Sequence, residues 1–249
     1  MGGSTPLDYA AWRASALGRI TERLERAAVI DLAGPVAGRD ILDVGCGDGT
    51  YAVAFGTLGG RVTGLDASVP ALRAAGSRAA SAGVRVLLVS GDAERLPFEP
   101  GSFDLAVAVT ALCFVPRPDR AVAEMARVLR PGGRLVVGEL GRWSAWAAWR
   151  RLLGCLRSET WRGATFWTPA SLRRLVEHAG LTPGRVRGAA FHPPIGLVAV
   201  ALAPFDSLLG RSTGLGAAFV AMEAEKRGAG SKLEPPATED QRPRTQKGS

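Results

Sequence analysis

The residues of this sequence that are best suited to chemistry lie in a glycine-rich turn, ILDVGCGDGT at positions 41–50. Gly45, Gly47 and Gly49 allow a ligand to approach the backbone closely, and a helix that starts behind them offers unpaired N–H groups. The spacing is G-x-G-x-G, so Thr50 stands where a dinucleotide-binding fingerprint needs its third glycine. Asp43, two residues before the first glycine, would repel a pyrophosphate but attracts an ammonium or a sulfonium. The turn therefore favours a cationic ligand.

Two further acids follow the next apolar runs. Asp66 ends the run RVTGLD, where a carboxylate can accept hydrogen bonds from both ribose hydroxyls, a placement that NAD enzymes share. Asp92 lies in the loop GDAERLPF, where it can accept from an exocyclic adenine amine while the Ala93 N–H meets a ring nitrogen. Any one of these acids could simply cap a helix or form a turn. Together they predict a cradle for a cationic adenosyl ligand.

Short apolar runs of β type alternate with amphipathic helical segments through the first 140 residues. Such runs are typical of strands buried on both faces, and their alternation with helices predicts βαβ units and a parallel sheet. The predicted strands are 41–44, 62–65, 86–89, 105–109 and 135–137, and the predicted helices include 69–82 and 119–129. Two later strands, 186–191 and 215–221, are predicted to form a hairpin-like edge without a full crossover helix.

These motifs resemble those of the class I S-adenosylmethionine-dependent methyltransferases, in particular the small-molecule group that includes the ubiquinone and menaquinone biosynthesis enzymes. The resemblance covers about residues 9–223. It implies S-adenosylmethionine as cofactor and an α/β Rossmann-like three-layer sandwich, whose seven-stranded, mostly parallel sheet has an antiparallel last strand. It also implies a set of cofactor-binding residues: Asp43, Gly45, Cys46, Gly47, Gly49, Asp66, Ala67, Asp92, Ala93 and Thr110.

The resemblance further implies how the chain is divided. We expect one methyltransferase domain over residues 1–225, with a helical cap at 1–35, a cofactor-binding core at 36–140 and a substrate-side insert at 141–180. Residues 226–249 are polar and rich in proline, which predicts a disordered tail.

Methyl transfer from a sulfonium needs no obligatory catalytic residue, because the electrophile is already activated. Orientation of the reactants and exclusion of water supply most of the rate enhancement. A general base is needed only if the nucleophile bears a proton. No catalytic residue is assigned from sequence. His192, in the rigid turn FHPP, is the weak candidate for a base, whereas His178 is expected to be structural, late in a helix.

The substrate-side insert is rich in tryptophan and arginine. Trp143 and Trp146, together with Tyr9 and Trp12 of the N-terminal cap, are candidate substrate contacts, although an aromatic packing stripe would explain them equally well. Residues 142–187 contain nine arginines and two glutamates, which supply most of the net charge of +8. The hypothesis is a flat or apolar acceptor with an acidic group; a general arginine bias of the genome is the alternative explanation.

Composition limits the class of protein. The 249 residues contain no apolar run long enough to span a bilayer and no recognisable secretory signal, so we expect a soluble protein without a transmembrane segment. The three cysteines, Cys46, Cys113 and Cys155, are too few and too scattered for a disulfide framework or a metal site, which favours the cytoplasm.

Two other functions stay open at this stage. An NAD(P)-dependent oxidoreductase would share the topology and Asp66, but the missing third glycine and Asp43 count against it. A nucleic-acid methyltransferase would explain the basic segment, yet that segment is short and brings no RNA-binding motif. A nucleic-acid partner is therefore not expected, and the oligomeric state is undetermined.

Overall fold

The computed structural model describes residues 15–149 and 164–228, apart from the side chains of residues 196, 197, 207 and 212. The strands are β1 (Asp40–Val44), β2 (Arg61–Asp66), β3 (Val86–Ser90), β4 (Phe103–Val109), β5 (Leu129–Leu140), β6 (Leu181–Ala189) and β7 (Phe219–Lys226). The helices are α1 (Ala16–Ala33), α2 (Thr50–Thr57), α3 (Val69–Ser81), α4 (Pro118–Val128), α5 (Pro169–His178) and α6 (Gly196–Ser212). A single 3-10 turn, Leu112–Phe114, follows β4. None of the described helices is long and apolar enough to cross a membrane.

The strands form one seven-stranded sheet in the order β3-β2-β1-β4-β5-β7-β6. The first five strands pair in parallel, and β7 lies antiparallel between β5 and β6. β6 therefore runs in the same direction as β1–β5. The predicted Rossmann-like architecture with an antiparallel last strand is confirmed.

Helices cover both faces of the sheet because successive strand residues point to opposite sides. On β1, Leu42 and Val44 join a core with α4 and α5, whereas Ile41 joins a second core with α1 and α2. These residues are completely buried, as expected for a central strand of a parallel sheet. The sequence alternation between apolar runs and helices thus produces the three layers.

Helix ends follow local sequence signals. Ser68 caps α3 by accepting a hydrogen bond from the Ala71 N–H, and a proline occupies the first turn. Thr168 and Ser171 form a reciprocal capping box at the start of α5. The predicted helices at 69–82 and 119–129 are confirmed to within one residue, and His178 is the last residue of α5, late in a helix as predicted.

The predicted direct link between the last two strands is wrong. The 17-residue helix α6 lies between β6 and β7 and packs against α1 and β6. Its sequence hides the helical period, because Pro204 lies inside it and apolar side chains such as Val200, Phe205 and Leu208 point to solvent. β6 starts five residues before the predicted strand at 186–191, and β7 starts four residues after 215.

β7 extends one residue into the segment assigned to the tail. The Lys226 ammonium donates to the carbonyl oxygens of Arg127 and Leu129, at 3.2 and 2.7 Å, which ties the strand end to the junction of α4 and β5. The remaining tail from residue 229, like the first half of the cap (1–14) and residues 150–163 of the insert, lies outside the described residues.

Gly138 of β5 gives a test of packing in the antiparallel part of the sheet. A Cβ atom there would overlap the ring of the fully buried Phe219. We expect Gly138→Ala to lower the free energy of unfolding by about 1–3 kcal/mol, measured by urea denaturation. The matched control is Gly76→Ala in α3, where the added Cβ makes an ordinary 3.5 Å contact with Leu88. That control should stabilise the protein by about 0.5–1 kcal/mol, and equal effects of the two variants would contradict the packing assignment.

Candidate cofactor and acceptor site

The glycine turn between β1 and α2 is tight where it meets the protein and open where a ligand would lie. Gly45, Gly47 and Gly49 have φ of 69°, 53° and 78°, in the left-handed region that favours glycine. The N–H groups of Gly45 and Cys46 donate to the Leu65 carbonyl, which fixes the turn to β2. A Cβ at Gly45 would lie 2.6 Å from the Cβ of Ala111, whereas one at Gly47 would meet nothing within 4 Å. The turn therefore leaves open space at Gly47.

Asp66, at the tip of β2, holds this turn and still has acceptor capacity. Its Oδ2 accepts from the Gly47 N–H and its Oδ1 from the Ser68 N–H, both at 2.8 Å. A carboxylate has about four lone-pair positions, so roughly two are left for hydroxyl donors. Ala67, which follows, is exposed. This geometry fits a pair of ribose hydroxyls.

Asp43 is a buried carboxyl group, 2% exposed, at the end of β1. Burial raises its pKa to about 7, with smaller contributions from the nearby carboxylates of Asp66 and Asp48, while a hydrogen bond from the Ala52 backbone opposes the shift. Among the described residues its Oδ2 has no hydrogen-bond partner. Such an orphaned oxygen is costly, and a cationic ligand would stabilise its charged form. The residues around the turn thus fit the ammonium and sulfonium of S-adenosylmethionine.

The loop after β3 lies beside the Asp66 tip. The Gly91 N–H donates to the Asp66 carbonyl at 3.2 Å, and the exposed Asp92 accepts from the Glu94 N–H at 2.9 Å in a local turn. Ala93 is partly buried and packs against the main core. The loop therefore adjoins the β2 tip, as an adenine-binding role for Asp92 and Ala93 requires.

Thr110 and Cys46 approach the site mainly through their backbones. Thr110 has φ of 51°, which is unusual for a residue with a Cβ, and its N–H donates to the Gly138 carbonyl at 2.7 Å. The Cys46 thiol is buried close to Gly64 of β2, and its burial raises its pKa. The thiol therefore stays protonated near neutral pH and packs as an apolar group.

Sequence reasoning missed Glu139 as a residue of this region. It is fully buried at the end of β5 and accepts hydrogen bonds from three consecutive backbone N–H groups after β4, those of Ala111, Leu112 and Cys113. The available signal was an acid in the otherwise apolar strand segment LVVGEL.

His192 is completely buried, whereas the sequence suggested only a turn position. Its ring lies edge-on to Trp146, with 6.1 Å between the centroids, and Trp146 packs with Ala190, Ala218 and Leu17. Because β6 runs parallel to β5, both residues follow strands that end at the edge of the sheet where the glycine turn lies. The histidine and the tryptophan therefore belong to the same edge as the cofactor motifs.

The other predicted substrate contacts are only partly visible. Trp143 is 61% exposed, with the Arg142 guanidinium 5.7 Å from its ring centroid. Tyr9 and Trp12 lie outside the described residues, as do four arginines of the basic segment: Arg150, Arg151, Arg157 and Arg162. Two others, Arg185 and Arg187, form ion pairs with Glu223 and Asp31. Those two are partly neutralised and contribute less to a basic surface.

The chain is similar to several known methyltransferases. A family model described as a methyltransferase domain matches residues 42–137. The ubiquinone biosynthesis O-methyltransferase of Thiobacillus denitrificans is 34% identical over 171 residues, which cover 66% of this chain and 73% of that protein. The enzyme of the same name from Ralstonia nicotianae is 34% identical over 173 residues, 67% of this chain and 72% of that protein.

A solved structure extends the match to most of the chain. An S-adenosylmethionine-dependent methyltransferase of Thermotoga maritima is 25% identical, with a TM-score of 0.68, and the alignment covers 89% of this chain and 95% of that one. These findings support neither an NAD(P)-dependent oxidoreductase nor a nucleic-acid methyltransferase. The chain belongs to the S-adenosylmethionine-dependent methyltransferases and uses S-adenosylmethionine as its methyl donor.

Proposed function

We propose that this protein transfers a methyl group from S-adenosylmethionine to a hydroxyl oxygen of a small, flat acceptor, with His192 as the base. Two things support oxygen as the acceptor atom. The relatives from Thiobacillus denitrificans and Ralstonia nicotianae are O-methyltransferases by name. The observation that carries the proposal is the buried His192 imidazole, whose Nε2 has no hydrogen-bond partner among the described residues.

The cofactor is held at the tips of β1, β2, β3 and β4. Asp43 faces the cationic methionine part, Asp66 receives the ribose hydroxyls, and Asp92 with Ala93 receives the adenine. Backbone groups and open space complete the cradle: Gly45, Cys46, Gly47, Gly49, Ala67 and Thr110. When bound, S-adenosylmethionine supplies an electrophilic methyl group on a sulfonium. The chain's own contribution here is to orient the cofactor and the acceptor and to exclude water from them.

A hydroxyl acceptor must lose a proton during methyl transfer, so a base within reach lowers the barrier. The Nδ1 of His192 lies 3.1 Å from the carbonyl oxygen of Pro193. A carbonyl oxygen can only accept, so Nδ1 carries the hydrogen and the lone pair of the neutral imidazole lies on Nε2. His192 is therefore in the tautomer that accepts a proton at Nε2.

Asp206 of α6 holds the backbone that precedes this histidine. Its buried carboxylate accepts from the N–H groups of Ala190 and Phe191, at 3.0 and 2.8 Å, and Ala190 has φ of 58°. Burial raises the pKa of Asp206, and a positive charge on His192 opposes that shift. Asp206 therefore fixes the turn that carries His192.

We place the acceptor beside Trp146 and His192, two buried rings that meet edge-on and form the proposed acceptor wall. Trp143, Tyr9 and Trp12 are further candidate contacts, and the nine arginines of residues 142–187 favour an acceptor with an acidic group. Competition between neutral and acidic analogues of the acceptor tests this preference. A preference for the acidic analogue that persists at high salt indicates a specific contact, whereas one that disappears indicates only a basic surface. A cytoplasmic location stays a prediction from sequence.

Asp66→Ala tests where the cofactor lies. Removing two hydrogen bonds to a carboxylate should weaken binding of S-adenosylhomocysteine about 10–100-fold in titration calorimetry. Glu225→Ala is the matched control. It removes an exposed acid near the end of β7, at the sheet edge opposite to the glycine turn, and should leave the affinity unchanged. Equal affinities of the two variants, or tight binding of NADH to the wild type, would overturn the assignment.

Asp43→Asn tests the buried carboxyl through stability. The folded pKa of Asp43, about 7, lies above its ordinary value of 3.8, so between these values the folded protein keeps a proton that the unfolded chain has lost. This contribution to stability is complete below about pH 4 and is lost as the pH rises through about 7. Asp43→Asn should therefore raise the free energy of unfolding at pH 8 by about 1–3 kcal/mol and leave it unchanged at pH 4.

The same variant should bind the cationic cofactor more weakly, because the amide carries no charge. Asp119→Asn, at an exposed position in the first turn of α4, serves as control for both readouts. A pH-independent stability difference between Asp43→Asn and the wild type would contradict the raised pKa.

His192→Asn tests the base. The amide cannot take up a proton, so we expect kcat to fall on the order of 100–1000-fold, with cofactor affinity unchanged. His178→Asn, exposed at the end of α5, should behave like the wild type. Full activity of His192→Asn, or faster methylation of amines than of hydroxyl compounds, would contradict the proposal.

A further inference from the structure

Glu139 is a completely buried glutamate that makes an unusual set of hydrogen bonds. Its Oε1 accepts from the N–H groups of Ala111 and Leu112, at 3.1 and 2.8 Å, and its Oε2 accepts from the Cys113 N–H at 3.2 Å. These three donors are consecutive and belong to the turn that follows β4. One side chain at the end of β5 therefore satisfies the whole N-terminal part of the 3-10 turn.

A buried carboxylate is a costly way to cap so short a turn. Burial raises the pKa of Glu139 to about 7, and the three backbone donors, with the Cys113 thiol, oppose that shift. A serine or aspartate at the capping position, where Ala111 stands, would satisfy a turn of this kind locally. The carboxylate instead connects two neighbouring strand ends, which local capping cannot do.

The turn held by Glu139 is packed against the glycine turn. Ala111 lies so close to Gly45 that a Cβ on that glycine would be 2.6 Å from the Ala111 Cβ. Thr110, immediately before, is in the left-handed region and donates to the Gly138 carbonyl. Ala111, which follows Thr110 directly and precedes the 3-10 turn, lies against Gly45. The position of Thr110 relative to Gly45 thus depends on how this turn is held.

The same turn also contacts residues 164–167, the segment before α5. The Cys113 carbonyl accepts from the Thr165 N–H at 3.0 Å, and the Trp167 N–H donates to the Leu140 carbonyl at 2.8 Å. Arg142 donates through its N–H to the Trp167 carbonyl, so residues 164–167 lie across the end of β5. Through this turn, Glu139 links the glycine turn to residues 164–167, which bind Arg142 at the start of the segment that carries Trp146.

We propose that Glu139 is a positioning residue for methyl transfer: its carboxylate holds residues 110–113 so that the cofactor cradle and the acceptor wall keep their relative placement. The inference rests on the proposed position of the cofactor. Glu139 touches no reacting atom and acts only through the backbone donors it binds. Misplacement by a fraction of an ångström between two reacting groups costs rate more than affinity.

Glu139→Gln is the principal test. A glutamine oxygen can accept from two N–H groups at most, and its NH2 then faces the third donor. In the folded variant, we expect kcat to fall about 10–100-fold, while the affinity for S-adenosylhomocysteine changes less than fivefold. The amides of residues 111–113 should exchange hydrogen at least tenfold faster than in the wild type. Glu223→Gln is the matched control, since that glutamate also accepts a backbone N–H, from Arg185, far from this turn.

Two outcomes distinguish a positioning role of Glu139 from a general loss of stability. A kcat within twofold of the wild type, measured well below the melting temperature of the variant, would overturn the proposal. Equal loss of kcat in Glu223→Gln would also overturn it, because the effect would then follow general destabilisation. If Glu139→Gln does not fold, Glu139→Asp is the second variant, which keeps the charge but shortens the reach.

Hydrogen exchange in the wild type needs no variant. The amides of Leu112 and Cys113 should exchange only through global unfolding, and exchange through local opening would overturn the proposal. Failure of the wild type to bind S-adenosylhomocysteine would instead overturn the cofactor placement. The exchange result would then still report on Glu139.

Discussion

The parallel pairing of β1 with both β2 and β4 is the constraint on which the rest of the structure depends. The chain moves outward from β1 to β2 and β3, returns to β4 on the other side of β1, and continues to β5. All these strands end at one edge, and the reversal of direction opens a crevice beside the tip of β1. Asp43, Asp66, Thr110 and Glu139 come together there, although they are distant in sequence.

Two buried carboxyl groups at this edge have similar electrostatics and different roles. Burial raises the pKa of both Asp43 and Glu139 to about 7. The carboxylate of Glu139 accepts hydrogen bonds from three backbone N–H groups, whereas the Oδ2 of Asp43 has no partner among the described residues. The carboxylate of Glu139 therefore shapes the turn after β4, and the proposed role of Asp43 is to receive a positively charged ligand. Where water is excluded from this edge, the low dielectric strengthens both the hydrogen bonds of Glu139 and the proposed attraction between Asp43 and a cationic ligand.

Much of the fold follows from local patterns, and the exceptions have identifiable causes. The strands and helices before β5 were predictable because continuous apolar runs, helix caps and glycine stops all indicate the same elements. β5 was predicted only in part, at 135–137, since it starts at Leu129 and includes the Pro-Gly-Gly segment that favours a turn. α6 was not, because Pro204 and a nearly uniform apolar composition remove the helical period. Its stability comes from packing against α1 and β6, which no local pattern records.

By itself, the sequence determined the glycine turn and the positions of the acids that follow the strands, because the glycine spacing and the apolar runs before each acid are visible locally. Only the tertiary structure decided that His192 is buried against Trp146 with no partner for its Nε2 among the described residues, and that Glu139 binds a turn 26–28 residues away. The physical reason is that burial and hydrogen-bond partners belong to contacts between elements. A histidine or glutamate in an apolar segment has the same sequence signature whether it faces solvent, core or site.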